Sequence, residues 1–173
     1  MQFSKIQHGL IHINLRLFYS ESARRLYFFA QKFNLTALMQ TLPEKILSID
    51  HVGIRVTDRD VSRAFYEKFG FVETDYFQAD QANEMETASG VRINLIMNGA
   101  KRPDNKNILL DEPIKYAGIT HLAFIVEDLA KLQTWLQANK IGITEGPVQL
   151  SPRRITLFIR DPDGNILEFN QLI

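Results

Sequence analysis

The apolar positions of this chain alternate, shift to helical spacing and alternate again, and the same succession runs twice. From Ile46 to Val56 the alternation predicts a strand with Val52, Ile54 and Val56 on one face and His51, Gly53 and Arg55 on the other. Asp58 follows as a helix cap, with Val61, Ala64, Phe65 and Phe69 as the apolar stripe and Gly70 as the stop. Three strands are expected next, over about Phe71 to Phe77, Glu84 to Ser89 and Val91 to Asn98, with Ser89-Gly90 as a tight turn. A polar, turn-rich stretch around Lys101-Arg102-Pro103-Asp104-Asn105-Lys106 interrupts the pattern. It then restarts with a strand from His121 to Val126, and Asp128 caps a helix carrying Leu129, Leu132, Trp135 and Leu136. Strands at about Gly146 to Leu150 and Ile155 to Arg160, the turn Asp161-Pro162-Asp163-Gly164 and a last strand from Asn165 to Asn170 complete the second round.

The repeat sharpens this reading. Asp50-His51-Val52-Gly53-Ile54-Arg55-Val56-Thr57-Asp58 returns as Thr120-His121-Leu122-Ala123-Phe124-Ile125-Val126-Glu127-Asp128. The fold class expected is α+β, with two βαβββ modules forming a cupped, barrel-like mixed sheet and an extra N-terminal arm or helix. Module one is assigned to residues 45–99, a linker to 100–116 and module two to 117–173. Strand parity aligns Ile93-Asn94-Leu95 with Leu167-Glu168-Phe169. Each module then offers two polar side chains from its first and last strands to one concave face: His51 and Asn94 from the first, His121 and Glu168 from the second.

Residues 1–44 differ from the rest in being rich in Phe, Leu, Tyr and Arg and poor in acids. Ser20 would cap a helix with Leu26, Phe29, Ala30 and Phe33 on one face, docked on the domain or a partner. A translation start at Met39 and a targeting presequence are the competing readings. His8 and His12 are four apart, but Gly9 between them and the lack of a nearby acid favour ordinary surface histidines.

Composition narrows the chemistry. The 173 residues suffice for one full core. Twenty Lys and Arg balance twenty Asp and Glu, so no electrostatic footprint argues for nucleic acid or an anionic membrane, and a small-molecule partner is expected. No apolar run approaches the roughly 18 residues of a membrane span, and the start lacks a secretory block, so a cytoplasmic protein is expected. Without cysteine there is no disulfide, thiolate ligand or thiol nucleophile, and any metal must use nitrogen and oxygen.

His51, His121 and Glu168 are two of the four histidines and one carboxylate, selected together by the repeat register. Two imidazoles and a carboxylate form a facial set for Zn, Ni, Co, Mn or Fe, leaving positions open for substrate. Taken alone, a histidine at a strand start is more often a hydrogen-bonded structural residue than a ligand, and a late glutamate is usually solvated. Asn94 is either a weak fourth ligand or a hydrogen-bond partner of a water on the ion. Arg55 would meet a substrate carboxylate or a structural ion pair. Arg92 and Asn98 share the polar face with Asn94, and Arg92 and Asn94 are carried as substrate-binding candidates. Glu84 and Glu86 are either general bases or solvated carboxylates.

Asp50-His51-Val52-Gly53-Ile54-Arg55-Val56 with Phe65-Tyr66, Thr120-His121-Leu122-Ala123-Phe124, and Asp161-Pro162-Asp163-Gly164-Asn165-Ile166-Leu167-Glu168 resemble the vicinal oxygen chelate superfamily over about Ile46 to Ile173. That superfamily includes glyoxalase I, extradiol dioxygenases, fosfomycin-resistance enzymes, methylmalonyl-CoA epimerase and bleomycin-binding proteins. The resemblance implies metal ligands at the positions of His51, Asn94, His121 and Glu168, with Glu168 also able to shuttle a proton. Similarity to glyoxalase I further implies glutathione contacts for Arg55 and Asn98, and a homodimer is expected; pairing of the modules within one chain and across a dimer both occur in the superfamily, and both stay open here. Asn94 departs from it, because glyoxalase I carries a glutamate ligand there. The expected function is a metal-dependent enzyme with glyoxalase I-like lyase or isomerase chemistry on a small oxygen-chelating substrate, glutathione adducts included. The alternatives are an Fe(II) extradiol-type dioxygenase and a non-catalytic drug-binding protein.

Overall fold

Two four-stranded mixed sheets, each bearing one helix, are built by the repeat. The computed structural model describes residues 45–173, and Ser48–Ile173 form one compact unit. The expected helix after Ser20, with Leu26, Phe29, Ala30 and Phe33, and the histidines His8 and His12 lie outside the described residues.

Module one comprises β1 (Val52–Arg55), α1 (Arg59–Glu67), β2 (Phe71–Phe77), β3 (Ala82–Thr87) and β4 (Arg92–Ile96). Its strands run in the order β1-β4-β3-β2. Module two repeats the plan with β5 (His121–Ile125), α2 (Leu129–Ala138), β6 (Ile143–Ser151), β7 (Arg154–Arg160) and β8 (Ile166–Leu172), ordered β5-β8-β7-β6. In each, the first and last strands pair in parallel across the helical crossover and the other pairs are antiparallel. Val52 lies opposite Ile93 and Leu122 opposite Leu167, so the register equates the modules residue for residue.

Local signals explain the helices. The Asp58 carboxylate accepts from the Val61 amide at 3.0 Å, and the Asp128 carboxylate accepts from the Lys131 amide at 2.9 Å. Gly70 follows α1 with φ +85°, a conformation that disfavours side chains bearing a Cβ. Two expectations change. Val61 is half exposed, and the buried face of α1 carries Ser62 and Tyr66 instead. Their hydroxyls have partners in module two, which lets polar side chains occupy the inner face. The strand expected from Ile46 begins only at Val52, because β4 starts at Arg92 and offers nothing earlier to pair with; Ile49 remains exposed despite its apolar character.

The modules join through their helix-covered faces. Phe69 stacks on Phe169 at 5.6 Å and meets Trp135 edge-on at 5.2 Å, while Phe71 approaches Phe124 at 6.1 Å. A polar latch closes the seam around the Asp161-Pro162-Asp163-Gly164 turn. Tyr66, fully buried, donates its hydroxyl to Asp161 at 3.0 Å, and Thr57 Oγ1 donates to Asp163 at 2.6 Å. Ser62 Oγ donates to Asp163 at 3.3 Å. Burial holds the Asp161 carboxyl above its ordinary range even though Asn165, Tyr66 and Asp163 donate to it. Burial, followed by the nearby Asp161, pushes the Tyr66 phenol well above 10.0. The Asp161-Pro162-Asp163-Gly164 turn is therefore a structural clasp between modules. Asp111 in the linker grips Arg160 with both oxygens, at 2.7 and 2.8 Å, which anchors the linker to module two.

Candidate metal and substrate site

The sheet faces opposite the helices carry the expected polar side chains. Glu168 on β8 is 6% exposed, and its Oε2 lies 2.8 Å from His121 Nε2. Parity brings them together: Ala123 pairs with Glu168 across the β5–β8 ladder, and His121 stands two residues before Ala123 on the same face. Phe158 on β7 lies opposite Glu168 and meets the His121 ring edge-on at 6.2 Å. Beside them Thr156 Oγ1 donates to Asn170 at 2.6 Å, and Ile125 is largely exposed.

Module one presents the equivalent face with different groups. Gly53 pairs with Asn94 where module two pairs Ala123 with Glu168. Asn94 Oδ1 is buried and accepts no hydrogen bond among the described residues. An orphaned amide oxygen costs about 1–3 kcal/mol unless something meets it, and this one opens on the histidine-bearing face. Glu84 lies opposite Asn94 on β3, its Oε1 accepting from Thr74 Oγ1 at 3.0 Å. Glu86 lies opposite Arg92. Arg55 is exposed and has neither an ion pair nor a hydrogen bond among the described residues, and Asn98 is exposed just beyond β4.

Each histidine is held by the residue before it. Asp50 Oδ2 lies 2.8 Å from His51 Nδ1, and Thr120 Oγ1 lies 2.9 Å from His121 Nδ1. The His51 contact is the first cause of the lowered Asp50 pKa, with the Arg92 guanidinium adding to it. Arg92 also binds the second Asp50 oxygen and lies 3.8 Å from Glu84. The signal for Phe158 is strand parity, which sets it opposite Glu168, and the signal for Asp50 and Thr120 is the repeat alignment, which puts each immediately before its histidine.

The donor set suits a divalent cation. It offers imidazole nitrogens, a carboxylate and an unsatisfied amide oxygen, all on sheet faces left open by the helices. His121 and Glu168 are brought together, and His51 and Asn94 sit at the matching register. Among the described residues, no three His, Asp or Glu side chains gather closely enough to hold an ion. The aromatic seam accounts for this, since the modules meet by their helix sides and the two polar faces are turned away from the shared core.

The chain belongs to the Glyoxalase/Bleomycin resistance protein/Dioxygenase superfamily, whose family model matches residues 48–169. A glyoxalase domain-containing protein, RDO1 of Mycosarcoma maydis, is 29% identical over 129 residues, spanning 72% of this chain and 68% of the relative. Among solved structures, a glyoxalase/dioxygenase from Nostoc punctiforme aligns at 22% identity with a TM-score of 0.61, covering 77% of this chain and 96% of that one. A lactoylglutathione lyase from Agrobacterium tumefaciens aligns at 22% identity with a TM-score of 0.52, covering 74% and 96% respectively. These two likenesses establish the fold. No described helix is long and apolar enough to cross a membrane.

Proposed function

We propose that this protein is a divalent-metal-dependent enzyme acting on a small substrate with two neighbouring oxygens, with glyoxalase I-like lyase or isomerase chemistry. In this reading it works as a homodimer, His51 of one copy completing a ligand set with His121 and Glu168 of the other. The observation that carries it is the pairing of His121 with Glu168 on a face turned away from the module seam, at the same register as His51 and the orphaned Asn94 oxygen. A drug-binding role without metal would need neither pre-paired donors nor an unsatisfied amide.

When bound, the ion supplies Lewis acidity, polarising a substrate carbonyl so that an adjacent carbon releases a proton more readily. Glu168 is the carboxylate placed to take up and return that proton, and its burial shields the transfer from bulk water. Phe158 packs edge-on against the His121 ring and lies opposite Glu168, giving that space one apolar wall. Arg55 is the uncommitted cation for a substrate carboxylate, with Asn98 as a neutral partner, which suits an acidic substrate such as a glutathione adduct. Asn94 and Arg92 border that space. A second reading, an Fe(II) dioxygenase, is favoured by Asn94 standing where a second carboxylate would make a four-ligand set.

The test has two arms. Metal-free protein loaded with Ni(II), Zn(II) or Co(II) should turn over the hemithioacetal of methylglyoxal and glutathione or a related acidic hydroxycarbonyl compound. Oxygen uptake with catechols and Fe(II), without isomerase activity, would transfer the assignment to the dioxygenase. Protein that binds none of these ions defeats both.

A further inference from the structure

We propose that Asp50 is a positioning residue that fixes the tautomer of His51, and that it is held in place by a side-chain chain crossing the whole of sheet one. The inference rests on the metal-site reading above and concerns the half of the site that lacks a last-strand carboxylate.

A neutral imidazole has one N–H and one lone pair, and the hydrogen bond at one nitrogen decides which is free to bind a metal. Asp50 Oδ2 sits 2.8 Å from His51 Nδ1 and is a pure acceptor when ionised, so Nδ1 carries the proton and the lone pair is on Nε2. The other Asp50 oxygen is bound by Arg92. Arg92 Nη1 lies 3.8 Å from Glu84 Oε2, and Glu84 Oε1 accepts from Thr74 Oγ1 at 3.0 Å. The chain Thr74, Glu84, Arg92, Asp50, His51 thus runs from β2 across β3 and β4 to the residue preceding β1. Carboxylates hydrogen-bonded behind a ligating histidine fix its orientation and raise its basicity.

Module two lacks these parts. By register Ile166 stands where module one has Arg92, and Phe158 where it has Glu84. Thr120 Oγ1 can donate to or accept from His121 Nδ1, so it imposes no tautomer. His121 Nε2 instead faces Glu168 directly. The site therefore joins one histidine locked in its ligating form to one oriented by a carboxylate that is itself a ligand. As an acceptor at Nε2, Glu168 favours the Nε2–H form of the metal-free His121 ring, the opposite tautomer to the one Asp50 fixes in His51, so the two histidines are held in different ways.

The test measures nitrogen-15 shifts of the metal-free protein at a pH where both rings are neutral, together with Co(II) titration of the same samples. His51 is expected as the Nδ1–H tautomer in the parent and shifted toward Nε2–H in Asp50→Asn. The same substitution should weaken Co(II) binding by about tenfold or more, the range for orienting partners, with the metal-free melting temperature unchanged. Asp50→Glu should restore part of both. An Nε2–H His51 in the parent, or Asp50→Asn binding Co(II) like the parent while His51→Ala does not, overturns the inference and leaves the metal site standing. A parent protein that binds no Co(II) while His51 keeps its Nδ1–H tautomer overturns the metal reading and, with it, the role assigned to Asp50 in binding.

Discussion

The two modules share a register and differ in their chemistry. Module two places a histidine, a carboxylate and an aromatic ring in mutual contact on its open face. Module one, at the same positions, has a histidine tied to Asp50, an amide oxygen with no partner, and a carboxylate one strand further away at Glu84. A duplicated scaffold thus keeps its core pattern while the outward positions of its two halves carry different chemistry. The seam side is shared by both modules. There the apolar residues of both modules merge into a single core, and the Asp161 turn of one clasps the helix of the other.

The largest effects should come from module two. His121→Ala and Glu168→Ala each remove half of the pre-formed pair, and equilibrium dialysis should find metal affinity lowered by several hundredfold or more, beyond the range for orienting residues. His51→Ala should leave weak residual binding. Equal losses in all three would erase the distinction between the modules. The seam is the next target. Tyr66→Ala empties a fully buried site and removes one of the hydrogen bonds to the buried Asp161, so chemical denaturation should show a loss of about 3–5 kcal/mol.

Tyr66 also sets an alkaline limit. Its phenol is held well above 10.0 in the folded protein, so its stabilisation is fully present below pH 10.0 and lost as the pH rises beyond it. Tyr66→Phe should cost about 1 kcal/mol at neutral pH and flatten that alkaline decline. A slope identical to the parent's would deny the buried Tyr66–Asp161 contact.

Asn94→Glu asks whether the modules can be made alike. By giving module one the carboxylate that module two has, it should tighten Ni(II) or Co(II) binding by about tenfold. Weakened binding would mean that the amide oxygen is not aimed at the ion. The smallest effects belong to the helix caps. Asp58→Ala and Asp128→Ala should each cost about 1 kcal/mol in thermal melts, since both cap in the same way.

Much of this arrangement was legible in the sequence because it follows from parity. The alternation around Val52 and Leu122 fixed which side chains share a face, and both ladders repeat that assignment in their registers. The caps at Asp58 and Asp128 were equally local. Long-range partners were the less legible part. The phase of α1 follows from Ser62 and Tyr66 reaching Asp163 and Asp161 about a hundred residues away, and nothing near Val61 reveals that. The Ile46–Asp50 segment has strand alternation but no pairing strand among the described residues, and alternation alone cannot supply one. The site candidates fell on the expected faces, but the joining of those faces depends on which side of each module is sealed. That was settled by Phe69, Trp135 and Phe169, which read from sequence as ordinary core.

The central claim is that the metal site is shared between two copies of the chain, and subunit complementation tests it most directly. His51→Ala and His121→Ala chains are unfolded together, refolded as a mixture and assayed for bound metal. A shared site predicts that mixed dimers recover one intact site, built from His51 of the second variant and His121 with Glu168 of the first. Binding in the mixture no greater than the sum of the two variants refolded separately would contradict it.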